Sequence, residues 1–443
     1  MVKKIKKIIR ALTPSFIIKF YHLIIAYLAS FIYGNPSKDL IVIGVTGTAG
    51  KSTVVNFIAD ILKESDKKVG ACTTFNFRIG EQEFENKIRM TMPGRFILQK
   101  WLYKMKKAGC KMAIIEVTSQ GLAQFRHKAI NFDLVLFNNI SKEHIEAHKG
   151  FNNYLKAKQM LFKHLFKMPK KKINGKKIKK TSIVNIDDKH AEDFLKYPAD
   201  KKYGFSLKES NKSNIEVVQA KEVKPSISGL DFKVKQTKIH LNLLGKFNVY
   251  NALAAILVGL NLGLNIKTCK KALEKRKVVP GRMEIVNKKP LICVDQAHTP
   301  DELENVYKTL TNIKEDNLIL VLGAAGGGRD KWKRPVIGKL AEEYGDIIIL
   351  TNEDPFWEDP KAIINEILTG IKAKNKLFSE NKLFKILNRK KALKKAIDLA
   401  GEKDIIAVTG KGSEPCIVEK GKKIPWKDQD VIKDILWGQN VDN

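Results

Sequence analysis

A glycine-rich turn that ends in a lysine and a serine is the first feature of the chain that could do chemistry. Residues 40–46 are apolar and predict a buried strand, and the turn after them contains Gly47, Thr48, Gly50, Lys51, Ser52 and Thr53. Glycines let backbone N–H groups close around phosphate oxygens, and the N-terminus of a following helix adds partial positive charge. In this pattern the lysine reaches the outer phosphates and the serine hydroxyl binds Mg²⁺. Since Val45 stands where the strict pattern has its first glycine, a turn without phosphate is the alternative interpretation. The pattern predicts an ATP site.

Three further side chains could handle a metal ion or a phosphate. Glu116 ends the apolar run 112–117, His144 follows the apolar run 132–137, and Lys158 lies on a predicted helix. Doubly wound sheets place ligands at the carboxyl ends of their strands, which favours Glu116 and His144. Taken singly, each has a plain explanation: a strand-end carboxylate, a surface histidine, and one lysine among many. Only their combination indicates a site.

The elements that must position these residues alternate between strand and helix patterns. Such alternation predicts an α/β fold with a parallel sheet covered by helices on both faces. After residue 182 we expect a strand, short strands over 205–243 and a strongly apolar helix over 248–262. The periodicity breaks at 278–281, which predicts a hinge, and a second α/β pattern follows with strands at 291–295, 318–322, 347–351 and 405–409. The glycines of 323–328 do not form a dinucleotide fingerprint, because Ala325 replaces the middle glycine.

The expected organisation is therefore an N-terminal basic and apolar helical segment, a P-loop ATPase domain with a parallel sheet, and a Rossmann-like α/β domain. These three parts correspond to residues 1–39, 40–280 and 281–443. The five cysteines form no Cys-x-x-Cys pair, which argues against a zinc ribbon and a disulfide framework and indicates a reducing cytoplasm.

The net charge of +34 raises the question of a nucleic-acid partner. The densest basic run, residues 170–180, contains no aromatic residue on which a base could stack, so it predicts a solvated surface loop. No specific nucleic-acid partner is expected. The surplus charge should still attract anionic substrates, nucleotides and acidic lipid surfaces.

The N-terminus combines a basic start with an apolar stretch. Lys3, Lys4, Lys6, Lys7 and Arg10 precede residues 16–33, which carry Lys19 and His22. The apolar stretch is short for a bilayer span. Two interpretations stay open: a helix that packs on the protein, or one that lies on the inner face of the membrane.

Taken in order, the motifs of the chain resemble the Mur ligase family, the ATP-dependent amide-forming enzymes of peptidoglycan precursor synthesis. The resemblance covers about residues 40–440, and within the family the ligases that add the third peptide residue are the most similar. The motifs are the residue runs 44–51, 116–122, 138–144, 245–252, 280–284, 294–300, 327–335 and 410–414. We expect a monomer that takes a nucleotide-sugar or lipid-linked muramyl peptide, an amino acid, ATP and Mg²⁺.

The resemblance implies a role for each site residue. ATP phosphorylates a carboxylate, and an amine then displaces phosphate. Ser52 and Glu116 would hold one Mg²⁺, and Glu116, His144 and a carbamylated Lys158 a second. The nucleotide would contact Asn251, Arg282, Asp295 and His298 besides the turn residues. The muramyl peptide and amino acid would contact Thr91, Thr118, Ser119, Arg126, Arg329, Asp354, Lys411 and Glu414.

Three departures from the family pattern matter. Ala49 occupies a position where the family usually has asparagine. Residues 1–39 are too few for the uridine-binding domain of third-residue ligases, so we expect either that the N-terminal helix substitutes or that the donor is shortened or lipid-linked. Glu353-Asp354-Pro355-Phe356 stands where meso-diaminopimelate ligases have Asp-Asn-Pro-Arg. Since phenylalanine cannot clamp a carboxylate, lysine or another diamine is the expected acceptor. The alternatives are a folylpolyglutamate-like ligase and a non-catalytic basic ATP-binding protein.

Overall fold

The structure is a computed structural model that describes residues 13–86, 90–210 and 214–438. The five basic residues of the predicted N-terminal start lie outside the described residues. Up to Arg276 the chain is organised around one large sheet, whose strands are β1 Ile41–Thr46, β2 Val69–Cys72, β3 Asn76–Ile79, β4 Gln82–Glu85, β5 Met112–Glu116, β6 Leu134–Phe137, β9 Thr181–Asn185, β10 Lys201–Ser206, β11 Glu216–Ser226, β12 Gly229–Val234 and β13 Thr237–Leu241. A small separate hairpin pairs β7 Lys172–Ile173 with β8 Lys176–Lys177.

The large sheet has a parallel centre and antiparallel ends. Its strand order is β13-β12-β11-β10-β9-β6-β1-β5-β2-β3-β4. The strands from β11 to β2 in that order pair in parallel, while β12 and β13 at one end and β3 and β4 at the other pair antiparallel. The parallel centre confirms the prediction, whereas the hairpin β3–β4 was not foreseen. β1 lies between β5 and β6, so the ends of these three strands meet at one edge.

Helices cover both faces of this sheet. In this part of the chain they are α1 Ser15–Ile32, α2 Lys51–Lys63, α3 Arg95–Lys107, α4 Ser119–Ala123, α5 Ile145–His148, α6 Phe151–Lys167, α7 Ala191–Leu195, α8 Phe247–Asn261 and α9 Ile266–Lys275. Alternation along β1 explains the two layers, since Ile43 and Val45 join the core under α2 and α8, and Leu40 and Val42 join the core under α3 and α6. Apolar residues on both faces are what a buried parallel strand requires.

Residues from Glu284 onward form a second α/β layer structure. Its strands are β14 Glu284–Lys288, β15 Leu291–Asp295, β16 Leu318–Leu322, β17 Ile347–Leu350, β18 Leu383–Lys385, β19 Ile405–Thr409 and the separate hairpin β20 Cys416–Glu419 with β21 Lys422–Pro425. Its helices are α10 Pro300–Thr311, α11 Lys333–Tyr344, α12 Pro360–Leu368, α13 Lys374–Ser379, α14 Arg389–Leu399 and α15 Asp428–Trp437. The sheet order is β14-β15-β19-β16-β17-β18, and only β14 pairs antiparallel.

Helix α1 packs along the outside of α3. Its inner side is anchored where Ser30 Oγ donates to the carbonyl of Ala129 at 3.3 Å, and it ends where Gly34 and Asn35 take left-handed conformations. In the described part of the chain, no helix has the length and apolarity needed to cross a membrane.

The prediction that the lysine-rich run 170–180 is wholly a solvated loop is wrong at two positions. Lys171 and Lys180 are buried, and both ammonium groups contact the buried carboxylate of Asp133. Lys171 also donates to the carbonyls of Ser37 and Leu40 at 2.8 and 2.6 Å. Burial lowers the pKa of Lys171 to about 8. The two lysines are buried because the buried carboxylate of Asp133, beside strand β6, requires cationic partners.

Candidate active site

The glycine-rich turn joins the end of β1 to the start of α2, as predicted. Gly50 precedes the helix with φ of 77°, a conformation that residues with a Cβ rarely adopt. A Cβ at Gly50 would lie 2.4 Å from Asn251 Oδ1 and 2.6 Å from Asn138 Nδ2. Both the backbone angle and the close approach of these two asparagines therefore require glycine. The arrangement leaves the N-terminus of α2 facing the edge where β1, β5 and β6 end.

Two asparagines after β6 hold the turn in shape. Asn139 Oδ1 accepts from the backbone N–H of Thr48 at 3.0 Å and of Ala49 at 2.9 Å. Asn138 Nδ2 donates to the Ala49 carbonyl at 3.0 Å and to Asn251 Oδ1 at 2.9 Å. The backbone of Ala49, the position that departs from the family pattern, is thus bonded from a neighbouring loop. Both asparagines belong to the motif at residues 138–144, but the resemblance implied no role for them.

Two lysines converge on the carbonyls of the turn. Lys51 Nζ donates to the Thr48 carbonyl at 2.6 Å, and Lys158 Nζ donates to the Gly47 carbonyl at 2.5 Å. Lys158 is fully buried and its ammonium lies 4.5 Å from the centre of the Tyr154 ring. Burial, reinforced by the nearby charge of Lys51, lowers the pKa of Lys158 well below that of an ordinary lysine. A buried amine of low pKa is more reactive than a solvated ammonium.

The predicted metal ligands Ser52 and Glu116 are in direct contact. Ser52 Oγ donates to Glu116 Oε2 at 2.7 Å, and the backbone N–H of Thr74 donates to the same oxygen at 2.9 Å. Thr74 Oγ1 in turn donates to Thr91 Oγ1 at 2.9 Å, which brings the predicted substrate residue Thr91 to the same place. Thr74 was missed, because no motif surrounds it in the sequence. These groups offer carboxylate and hydroxyl oxygens at the start of α2.

The oxygen set fits Mg²⁺. Among residues 13–86, 90–210 and 214–438 no group of three or more histidine, cysteine, aspartate and glutamate side chains could hold a metal ion. Mg²⁺ does not require such a group, since it binds through one or two carboxylates together with water and substrate phosphate oxygens. Ser52 and Glu116 meet that description.

His144 lies near Tyr154 and next to the carboxylate of Glu143, which was not among the predicted site residues. The His144 ring is 6.4 Å from the Tyr154 ring, and its Nε2 is 3.4 Å from Glu143 Oε1. The same Glu143 oxygen is 3.3 Å from Nε2 of His298, which belongs to the second layer structure. Burial opposes the charge on Glu143, but His298 and His144 outweigh it and lower the pKa of this carboxyl group. Glu143 stands in a quoted motif, yet its partner in a distant segment could not be inferred.

A cavity of about 450 Å³ lies between the two layer structures beside the turn. Predicted nucleotide residues line it together, namely Gly50, Thr53, Asn251, Arg282 and Asp295. Burial raises the pKa of Asp295 to about 6. Its oxygens accept from the backbone N–H groups of Met283 at 2.7 Å and Ala297 at 2.6 Å. Five of the ten predicted ATP residues, drawn from both halves of the chain, therefore line one cavity, and Gly47, Thr48, Lys51, Ser52 and His298 are not among its lining residues.

The residues expected to hold the donor lie around helix α4. Thr118 caps that helix by accepting from the Gly121 N–H at 3.1 Å, and Ser119 Oγ is 3.1 Å from His148 Nε2. Arg126 donates to the Met92 carbonyl and, at 2.8 Å, to Gln124 Oε1. Burial and the neighbouring charge of Arg95 lower the pKa of Arg126. Two adjacent guanidinium groups provide a place for an anionic substrate group.

The acceptor residues lie in a larger cleft of about 860 Å³. Lys411 Nζ donates to Asp354 Oδ1 at 2.9 Å and to Glu414 Oε2 at 2.6 Å, so the buried Lys411 and Asp354 form one ionic network with the partly exposed Glu414. The Arg329 guanidinium is exposed and lies 4.9 Å from the centre of the Phe356 ring. Arg329, Asp354, Phe356 and Glu414 all line the cleft, and so does Thr74. Through Thr74 the cleft adjoins Glu116.

Two protein-family models match the chain. Residues 45–259 match the model of the Mur ligase middle domain, and residues 281–412 match that of the Mur ligase glutamate ligase domain. These matches define an ATP-dependent acid–amino-acid ligase. The chain belongs to the Mur ligase family. Membership of this family favours a ligase over the non-catalytic ATP-binding protein that the sequence left as an alternative.

The alignments with similar proteins cover most of the chain. The chain is 37% identical over 408 residues to a UDP-N-acetylmuramoyl-L-alanyl-D-glutamate–2,6-diaminopimelate ligase of Aquifex aeolicus, covering 92% of this chain and 79% of the relative. A ligase of the same name from Clostridium tetani is 36% identical over 416 residues, covering 93% and 81%.

Among solved structures, a ligase of the same name has 28% identity and a TM-score of 0.61 over 90% of this chain and 79% of its own. A folylpolyglutamate synthase of Mycobacterium tuberculosis has a TM-score of 0.66 over 88% of this chain and 92% of its own, at 16% identity, which shows a shared fold alone.

Proposed function

We propose that the chain uses ATP to join an amino acid to the free carboxylate of a UDP-N-acetylmuramoyl-L-alanyl-D-glutamate donor. The names of the relatives at 37% and 36% identity support this donor. The order of sites in the structure agrees with it, since a nucleotide cavity, a metal-binding pair and a large cleft lie next to each other. The names of these relatives also favour a cell-wall donor over a folate-type acid as the substrate.

The reaction follows from the weakness of a carboxylate as an electrophile. A carboxylate oxygen of the donor attacks the outer phosphorus of ATP, which forms an acyl phosphate and releases ADP. The amine of the acceptor then attacks the acyl carbon, loses a proton, and expels phosphate, leaving an amide. Lys51 and the N–H groups at the start of α2 would balance charge on the transferring group. Bound Mg²⁺ would supply further charge stabilisation.

One observation carries the proposal. Thr74 bonds Glu116 and also lines the 860 Å³ cleft, and Glu116 bonds Ser52 at the nucleotide turn. Phosphoryl transfer requires the donor carboxylate and the outer phosphate to meet in line. The Ser52–Glu116–Thr74 chain marks where the nucleotide cavity and the cleft adjoin, so it is the expected place of transfer.

We propose that two Mg²⁺ ions assist the reaction, the first at Ser52 and Glu116 and the second near His144 and Lys158. A bare ammonium at Lys158 would repel a cation, whereas a carbamate would attract it. Carbamylation needs the neutral amine, and the low pKa of buried Lys158 favours that form. In the described structure Lys158 bonds the Gly47 carbonyl, so the modification would exchange this contact for new ones.

The acceptor that suits this cleft is a diamine such as lysine rather than meso-diaminopimelate. Arg329 offers an exposed guanidinium for the carboxylate at the reacting end of an amino acid. Farther in, two carboxylates share one lysine, since Asp354 and Glu414 both pair with Lys411. The network keeps a net negative charge, which attracts a distal ammonium and repels a distal carboxylate. Phe356 supplies no compensating cation.

The test is ATP-dependent phosphate release with the UDP-linked donor across a panel that includes lysine, ornithine and meso-diaminopimelate. We expect release only when donor and a diamine are both present. Lys51→Ala should reduce release on the order of 100-fold or more, whereas the matched change Lys63→Ala, at the exposed end of α2, should not. Release with a folate-type acid but not with any muramyl donor would overturn the proposal.

A further inference from the structure

Helix α1 carries a continuous apolar stripe on its outer side. Its nine exposed large apolar side chains have 43–74% of their surface accessible, and they are Phe16, Ile17, Phe20, Tyr21, Ile24, Tyr27, Leu28, Phe31 and Ile32. Their spacing of three, four and one places them on one side of a helix. A contiguous patch of this kind on a soluble surface indicates an interaction site rather than ordinary surface variation.

The opposite side of α1 packs against the rest of the protein. Ala26, Ala29 and Ser30 are buried, and the helix packs lengthwise on α3. Lys19 is the single charged residue between Ser15 and Ile32, and it is exposed. Because this side of the helix faces the protein, α1 can offer a partner only its outer side. The partner must therefore be broad and apolar along the length of the helix.

Exposed basic side chains lie on the helix that supports α1. The supporting helix α3 exposes Lys100, Lys104 and Lys107. Cations beside an exposed aromatic and aliphatic face match a bilayer surface, where acyl chains lie next to anionic headgroups. The net charge of +34 adds to that attraction.

We propose that the outer stripe of α1 docks on the surface of a bilayer that contains anionic lipids. The helix lies in the interface with its aromatic residues among the headgroups and upper acyl chains. Exposed lysines of the neighbouring helix α3 contact lipid phosphates. The docking does not depend on which amino acid the ligase accepts.

The orientation that follows places the donor end of the enzyme at the membrane. Ile18, Lys19 and His22 of α1 share a cavity of about 440 Å³ with Gln120 and His148. His148 contacts Ser119, one of the residues predicted to hold the donor. A docked α1 would therefore hold this end of the donor site close to the lipid surface.

The experiment is co-sedimentation of the full chain with vesicles of phosphatidylcholine alone or mixed with phosphatidylglycerol. We expect the wild type to pellet with the anionic vesicles and to be released as salt is raised. The double variant Phe20→Glu with Phe31→Glu should weaken binding by on the order of tenfold or more, because it places two charges in the stripe. The matched control is Ile227→Glu in the turn between β11 and β12, since Ile227 and Phe20 are both 62% exposed.

Two results of this experiment would contradict membrane docking. Wild type left in the supernatant with both vesicle types, or bound equally to both, would overturn it. A wild-type dimer in sedimentation velocity that the double variant abolishes, without vesicle binding, would assign the stripe to a second copy. Thermal melting and ATP binding of all variants verify folding, and neither depends on ligase turnover, so a failed ligase assay would leave this test intact.

Discussion

The carboxylate of Glu143, from the loop after β6, lies 3.3 Å from Nε2 of His298, from the loop after β15. The contact joins the two layer structures beside the nucleotide cavity. A second pair of contacts lies close by, where Asp330 accepts from the backbone N–H groups of Ile145 and Glu146 at 3.2 and 3.1 Å. Polar contacts of this kind hold two domains together without fixing them permanently.

The Glu143–His298 contact should make domain closure depend on pH. Burial would lower the pKa of His298, but Glu302 and Glu143 outweigh it and raise the pKa above the ordinary histidine value. The stabilisation of the closed arrangement by protonated His298 is therefore fully present below about pH 6.5, and it is lost as pH rises through the raised pKa. Small-angle scattering should show the radius of gyration increasing over that rise. Glu143→Gln should remove the pH step, whereas Glu304→Gln, at an exposed pair, should keep it. An unchanged step in Glu143→Gln would contradict the assignment.

Glu116→Gln should weaken the requirement for Mg²⁺ without unfolding the chain. Glutamine keeps an oxygen that Ser52 and Thr74 can bond, but it loses the negative charge that attracts the ion. We expect the half-saturating Mg²⁺ concentration for phosphate release to rise by at least ~10-fold. Chelation with EDTA should abolish release, and added Mg²⁺ should restore it. The exposed Glu81→Gln serves as the control, and a Mg²⁺ curve identical to wild type in Glu116→Gln would exclude Glu116 as a ligand.

Lys158 should carry a carbamate when bicarbonate is present. The reaction needs an unprotonated amine, and burial lowers the pKa of Lys158 well below the ordinary lysine value, so modification should increase as pH rises towards neutrality and decrease in acid. Labelled bicarbonate should give a carbamate carbon signal by NMR in the wild type and in Lys156→Ala, whose lysine is exposed on the same helix. Lys158→Ala should lack the signal. A signal that survives this change would assign the carbamate to another amine.

Phe356→Arg should increase the use of meso-diaminopimelate. The new guanidinium would face the cleft beside Arg329 and could pair with a distal carboxylate. We expect kcat/KM for meso-diaminopimelate relative to lysine to rise by on the order of tenfold. Trp357→Arg is the matched control, since the adjacent Trp357 is 76% exposed and does not line the cleft. Equal turnover of both amino acids by the wild type would contradict the proposed selectivity.

Asp133→Ala should destabilise the chain strongly. The change leaves the buried ammonium groups of Lys171 and Lys180 without their shared carboxylate. Removing one partner of a buried ionic group costs about 3–5 kcal/mol. Asp398→Asn, which breaks the exposed Lys394–Asp398 pair, should change stability by about 0.5 kcal/mol or less. Thermal melting of the two variants measures the difference, and similar melting temperatures would show that the cluster contributes little.

Local patterns in the sequence predicted the parallel sheets and the nucleotide turn well. Apolar runs bounded by polar residues fix buried strands such as β15, β16 and β19, whose bounds agree with the structure. The hairpin β3–β4 was not predicted, because Gln82–Glu85 is exposed and shows no alternation of apolar and polar residues.

Contacts between distant segments could not be predicted from one sequence. Glu143 meets His298 across 155 residues of chain, and Asp133 meets Lys171 and Lys180 across a helix. Charged side chains at such positions look solvated until the fold brings their partners together. The family resemblance supplied the predicted site residues, while the contacts of Thr74 and Glu143 with them emerged only from the structure.

The bracing of the nucleotide turn by Asn138 and Asn139 has a thermodynamic consequence. A glycine-rich segment normally loses much conformational entropy when it closes on a phosphate. Here four side-chain hydrogen bonds from these asparagines fix the backbone of Thr48 and Ala49. The turn is thus preorganised, so that a larger share of the interaction energy with ATP appears as affinity.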